Sequence, residues 1–264
     1  MSAPLTMGAA PRFQLRGLRS WAVAGIGLTA GALLWQYVGD RTQRASFVPF
    51  TDTMRALWHL TRDGELIHAL VSSLKLFSAG LAIALVLGFF LGLLLARVRV
   101  LRIGLEPYIA AFYATPMVAL IPFILAVLGF EFRAKLVVVV LFGLWPILIN
   151  TLEGARSVNE ELLEVARSYR TSEPKLWVHV IVPYTLPFTM TGVRQSIARC
   201  LVGMIASEFL LSSSGLGNLI IVNTQRFDTA NVLATVLTVT LLATLLMAIG
   251  RVIEDYFARW KASA

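Results

Sequence analysis

Glu208 stands inside an apolar run, Met204-Ile205-Ala206-Ser207-Glu208-Phe209-Leu210-Leu211, and Arg194 and Arg199 precede it on the same stretch. An ionised side chain at the centre of a bilayer costs at least ~2.5–3.5 kcal/mol on insertion scales, so such groups face protein or water and not lipid. Gly192, Ser196, Arg199, Gly203 and Ala206 recur at alternating steps of four and three, which draws one small, polar face on a helix. For the arginines two readings stand: snorkelling at the cytoplasmic end of a helix, or lining the inner half of a path through the membrane. For Glu208 they are a structural ion pair or hydrogen bond, or a gate, with Ser207 beside it. Ser212-Ser213-Ser214-Gly215-Leu216-Gly217 follows, a breaker that suits either an external gate with Gly215 and Gly217 as its free joints or a plain turn.

Other chemistries are poorly served. His59, His68 and His179 are scattered without ligand spacing, so no metal site is expected. Cys200 is alone, which rules out an internal disulfide. No catalytic cluster of His, Asp, Cys or Ser–Lys groups is visible, and an enzyme is not expected. A phosphate-cradling P-loop needs glycine immediately before its lysine. Lys75, Lys135, Lys175 and Lys261 follow Leu, Ala, Pro and Trp, so no ATPase resides in these residues.

The elements that must hold these groups are membrane helices. Of 264 residues, 57% are hydrophobic and only 14% charged, far below the quarter usual for soluble domains. The net charge of +8 makes no patch with interleaved aromatics, so nucleic acid is not an expected partner. About six spans are expected, at Trp21–Tyr37, Leu76–Ala96, Tyr108–Phe130, Leu136–Leu152, a stretch ending Cys200–Leu211, and Val232–Gly250. Cys200–Leu211 is too short to cross alone and must recruit residues from the Gly192–Arg199 side. With both termini inside, thirteen Lys and Arg fall on the cytoplasmic side and seven outside, which the positive-inside rule favours. Arg12, Arg16 and Arg19 before the first apolar run resemble a signal peptide, but the run continues through Tyr37 and reads as an uncleaved span. The organisation expected is a cytoplasmic tail over 1–20, a first helix over 21–38, a periplasmic segment over 39–69, a membrane core over 70–257 and a cytoplasmic tail over 258–264. Gly80, Ala84, Gly88, Gly92 and Ala96 make a small-residue stripe, read as a packing ridge or as a moving pore wall. Pro116 and Pro122 interrupt the third span; such breaks accompany transport sites, and proline is also common in membrane helices.

One polar stretch lies between apolar runs, residues 159–187. Asn159 is a candidate N-cap, with Glu160 and Glu161 in the first turn. Leu162, Leu163, Ala166 and Tyr169 follow at helical spacing, Thr171-Ser172-Glu173-Pro174 breaks and restarts the helix, and Leu176, Trp177 and Val180 form a second apolar face before Pro183 and Pro187. Two short helices at an angle would make a knob suited to a groove on a partner; an amphipathic connector lying on the membrane is the plainer alternative.

The pattern Glu164-x-Ala166, with Arg170 at a place usually held by glycine and Val180-x-Val182-Pro183 beyond, resembles the EAA loop of ABC-importer permeases. Over residues 70–257 the chain is similar to the nitrate/sulfonate/taurine branch of these binding-protein-dependent inner-membrane components. Ser72-Ser73-Leu74, Pro146–Thr151, Gly154–Ser157, Ala206-Ser207-Glu208 and Gly215-Leu216-Gly217 occur in matching order. The resemblance implies an all-α polytopic permease in the bacterial inner membrane, paired with a second copy. It also implies two cytoplasmic subunits that bind ATP and Mg, and a periplasmic or lipid-anchored solute-binding protein, with no cofactor held by the chain itself. Glu164, Ala166, Tyr169, Arg170, Leu176 and Pro183 would then couple to the ATPase. Pro116, Pro122, Arg199, Ser207, Glu208, Gly215 and Gly217 would line or gate the path. The implied solute is a small oxyanion such as a sulfonate, taurine or nitrate, or alternatively a pyrimidine-type vitamin precursor or an aromatic acid. A self-contained channel or secondary transporter is the competing class, though no internal repeat is visible.

Overall fold

The computed structural model describes residues 13–43, 47–211 and 214–262; Arg12, Arg44, Ser212 and Ser213 lie outside the described residues, as do the first twelve positions of the expected 1–20 tail. The described elements are all helical. In chain order they are α1 (Phe13–Arg41), α2 (Phe50–Arg62), α3 (Glu65–Arg97), α4 (Arg99–Ala114), α5 (Met117–Leu128) and α6 (Phe132–Arg156). There follow α7 (Glu160–Ser168), α8 (Glu173–Leu176), a π turn over Trp177–Ile181, α9 (Val182–Leu211), α10 (Leu216–Gln225) and α11 (Thr229–Ala262).

Among the described residues four helical stretches are long and apolar enough to cross a bilayer: α3, α6, the α8–α9 rod and α11. The α4–α5 pair adds a fifth if taken as one span. The first expected span falls on α1, which is 29 residues long. As the shortness of Cys200–Leu211 requires, α9 extends it back through Gly192–Arg199 without a break.

Two elements differ from the sequence reading. The expected span Tyr108–Phe130 is bent by 100° between α4 and α5. Thr115 and Pro116 are extended there, with ψ of 133° and 96°, because proline drives the residue before it out of the helical region and cannot donate to the ladder. Pro122 is absorbed inside α5. The second difference lies at 173–187, expected as a separate short helix that ends at the membrane. It is the first part of the α9 rod. The π turn widens the ladder, with Val182 N–H reaching Trp177 O, and so carries the helix past Pro183, which has no N–H to give.

The centre is the three-helix packing of α3, α6 and α9. Gly80, Gly88 and Gly92 of α3 lie against Val139, Ile147 and Thr151 of α6 so closely that a Cβ would overlap them. Gly192 and Gly203 of α9 lie likewise against Pro146–Ile147 and Phe142 of α6. The small-residue stripe is therefore a packing ridge that lets backbones approach. Polar pairs cross the same seams: Ser196 Oγ donates to Gly143 O, Thr151 and Thr189 share a hydrogen bond of 3.0 Å, and Cys200 Sγ lies 3.6 Å from Val139 O.

Candidate functional site

Three places gather the chemistry-bearing residues. The first is a polar knot around Glu208, which is 1% exposed. Ser73 Oγ of α3 donates to both carboxylate oxygens at 2.7 and 2.9 Å, and Gly217 N–H donates to Oε2 at 2.8 Å. Ser73 Oγ in turn accepts from Leu216 N–H at 2.8 Å. Leu216 and Gly217 open α10, so two of the amides that a helix N-terminus leaves without partners end on these side chains. The positive end of the α10 dipole faces this carboxyl group.

The glycines beside the knot are required by it. Gly215 has φ 102° and ψ 170°, a region open in practice only to glycine. A Cβ there would run into the Glu208 carboxylate, and one on Gly217 would come within 2.6 Å of Glu208 Cβ. Ser207 is fully buried and donates back to Met204 O of its own helix at 2.8 Å. Of the candidate gate residues, Glu208, Gly215 and Gly217 thus meet in one knot, with Ser207 packed beside it. Ser73, the hub of the hydrogen bonding, was not singled out as a site residue from sequence; a serine next to an apolar run carries no signal of the carboxylate it will meet.

The second place is the cap formed by α7. Asn159 Oδ1 accepts from Glu161 N–H at 3.1 Å, the expected N-cap. At the other end Arg170 has φ 53°, Thr171 N–H reaches Ala166 O at 3.1 Å and Arg170 N–H reaches Arg167 O at 2.8 Å. That bond pair is a Schellman motif. The left-handed turn usually given to glycine is kept here with an arginine in it. Leu163 and Ala166 pack inward on Val158, Leu176 and Ile181, which ties α7 to the rod. Leu162, Val165 and Tyr169 face outward, Tyr169 being 83% exposed. Among the candidate coupling residues, Glu164, Tyr169 and Arg170 are on the surface, Ala166 and Pro183 are half-buried, and Leu176 is buried beneath the cap.

The third place surrounds the arginines. Arg194 Nε lies 2.7 Å from Glu254 Oε2 of α11 with its N–H poorly aligned, and Thr191 Oγ1 donates to Glu254 Oε1 at 2.9 Å. Arg199 lies with its guanidinium 4.8 Å from the centre of the Tyr113 ring and 3.3 Å from the Tyr113 hydroxyl. A cleft of about 410 Å³ opens here, lined by Tyr113, Arg194, Gln195, Ala198, Arg199 and Met247. Arg199 is not at a helix end. Its neighbours Ser196 and Cys200 touch Gly143 and Val139, which themselves face Ala84 and Gly80. That level is within about one turn of the midpoints of both α3 and α6.

At the end of the molecule away from α7, a recess of about 670 Å³ lies between α2 and the start of α11, lined by Asp52, Arg55, His59, Arg226, Asp228 and Asn231 among others.

A family model described as "Binding-protein-dependent transport system inner membrane component" matches residues 63–263. The chain is 34% identical over 168 residues to the riboflavin transport system permease protein of Chloroflexus aurantiacus, covering 64% of this chain and 63% of that one, a little under two thirds of its length. It is 27% identical over 232 residues to a Bacillus subtilis permease protein named for aliphatic sulfonates transport, covering 87% and 84%. Among solved structures, a chain of the MetNI methionine ABC transporter in inward-facing conformations superposes with a TM-score of 0.62 at 17% identity, over 73% of this chain and 95% of that one. At that identity the likeness is one of fold.

Proposed function

The chain belongs to the family of binding-protein-dependent transport system inner membrane components, and from that premise we propose that it is the membrane-spanning subunit of an ATP-driven importer of a small oxyanion. One observation carries the coupling part of this reading: a short helix whose inner face is pinned to a membrane rod while Leu162, Val165 and Tyr169 remain outside. An apolar ridge on a rigid, protruding helix suits a groove on a partner. The partner is a cytoplasmic subunit that binds ATP and Mg, two copies serving two copies of this chain. Closure of the ATPases would then push on α7. Because α7 is tied through Leu176 to the α9 rod, the push reaches Arg199 and Glu208 on the same helix. Leu176 and Ala166 act from inside the cap, and Glu164, Tyr169 and Arg170 at its surface. The end with the α2–α11 recess faces outward and receives the solute-binding protein, and both termini are cytoplasmic in the inner membrane.

The oxyanion follows from the relative named for aliphatic sulfonates. The riboflavin relative favours a second reading, a vitamin or vitamin precursor carried by the same machinery. Taurine or riboflavin titrated into the partner binding protein separates the two. For docking, Val165→Asp should leave the chain in the membrane and abolish its co-purification with the ATPase subunit. Retention of the ATPase at the wild-type ratio would refute the α7 interface. Cysteine at Ser172, on a Cys200→Ala background, should be labelled only from the cytoplasm and cysteine at Thr61 only from outside; the reverse would overturn the orientation.

A further inference from the structure

We propose that Arg199, with Tyr113 and Trp145, forms a mid-membrane recognition point for the anionic group of the transported solute. The inference rests on the permease reading and adds to it that charge selection is built into this chain as well as into any binding protein. Arg199 stands level with Gly80–Ala84 of α3, about 20 Å from either end of that helix at ~1.5 Å per residue. The same level is ~10–16 Å from the nearer end of α6, farther than an arginine side chain extends when it snorkels. Arg194, a turn and a half away on α9, is neutralised by Glu254. Among the described residues no carboxylate lies within ion-pair distance of Arg199, and the tyrosine ring and hydroxyl are what it touches. A cation kept there at an insertion cost of ~2.5–3.5 kcal/mol requires either water or an anion.

A second observation is independent of the arginine. Trp145 Nε1–H is buried and has no acceptor, although such groups are nearly always paired. Trp145 packs on the α4 residue next to Tyr113, just outside the residues that line the cleft. Phe112 stacks on Trp145 with centroids 5.4 Å apart, and Tyr113 lies beneath Arg199. One residue beyond Tyr113 the helix ends at the Thr115–Pro116 break. A cation whose one hydrogen-bond acceptor is the Tyr113 hydroxyl, lining a cleft of about 410 Å³ beside a broken helix, with an N–H that has no acceptor close by, suits a small sulfonate or carboxylate. Discontinuous helices at the midplane are where transported ions are commonly held.

The test uses the full permease–ATPase complex in nanodiscs and two probes of similar size, methanesulfonate and the neutral dimethyl sulfone, followed by saturation-transfer NMR at millimolar concentration. The wild-type complex should bind methanesulfonate and not dimethyl sulfone. Arg199→Gln should weaken methanesulfonate binding about tenfold or more, Arg199→Lys should restore part of it, and Trp145→Phe should weaken it by a smaller factor. Co-purification with the ATPase subunit confirms that each variant is assembled. Equal binding of both probes, or binding of neither because a second copy supplies a carboxylate to Arg199, overturns the inference while leaving the permease reading intact. Failure of the wild-type chain to assemble with an ATPase subunit at all would instead sink that reading.

Discussion

Arg199 and Glu208 lie about 13 Å apart along one helix at ~1.5 Å per residue, and the protein treats the two charges in opposite ways. Glu208 is wrapped: a serine hydroxyl and a backbone amide from the start of α10 converge on it. Arg199 is exposed, with one tyrosine against it and no carboxylate among the described residues. A buried charge whose every requirement is met inside the fold holds helices together. A mid-membrane charge whose requirement is left open is held ready for something that is not part of the chain. The resemblance places both on the candidate path, and their contacts within the chain differ.

The comparison breaks most severely at Gly215. Its backbone angles are open in practice only to glycine, and a Cβ would collide with the Glu208 carboxylate. Gly215→Ala should therefore cost about 3 kcal/mol or more from strain and forced displacement, seen as loss of membrane-assembled protein. Normal yield and thermal stability would mean that α10 does not dock on Glu208 as described.

A smaller effect is expected at Ser73, whose hydroxyl both donates to Glu208 and accepts from Leu216 N–H. Ser73→Ala leaves a buried amide and a buried carboxylate short of partners, at about 1–3 kcal/mol each before any water enters. Thermal stability in detergent should fall, and Glu208→Gln should lower it further, since an amide NH₂ would then face donors that expect oxygen. Arg199→Gln, by contrast, should leave thermal stability within about 0.5 kcal/mol, as for a surface substitution away from such networks. A large loss of stability in Arg199→Gln would erase the distinction between the two charges.

Much of this was legible in the sequence, for reasons that differ by residue. The cap Asn159, the glycine stripe and the recruitment of Gly192–Arg199 into a span depend on local spacing and on helix length, which composition and periodicity report directly. The break at Pro116 was legible as a disturbance, but its 100° bend was not, because a proline inside a span, such as Pro122, can also be absorbed. Continuity of the α8–α9 rod was hidden by Pro183 and Pro187, which read as marking re-entry to the membrane; a π turn is a backbone adjustment with no residue signature. The level of Arg199 depends on which residues of α6 and α3 face Ser196 and Cys200, a tertiary fact. Ala166 shows the same limit. It matches the family pattern, yet it packs inward, so Ala166→Asp would damage the cap itself, and outward-facing Val165 is the cleaner probe of docking.

A modest effect of the opposite sign is expected at Arg170, where the chain again places a charge at a position that is not easy for it, here in the backbone. A residue other than glycine in the left-handed region costs roughly 1–2 kcal/mol, and glycine recovers most of this while losing some through a freer unfolded chain. Arg170→Gly should therefore stabilise the cap by about 1 kcal/mol and slow amide exchange at Thr171, whose N–H closes the motif on Ala166 O, about fivefold. The side chain is fully on the surface beside Tyr169 and makes no ion pair among the described residues, so little is lost inside the chain when it goes. If the ATPase docks on α7, the same substitution should weaken co-purification even as the cap becomes more rigid, because the cation was kept for the partner. Slower exchange with undiminished docking would mean that Arg170 gives the interface nothing. Faster exchange would contradict the left-handed turn.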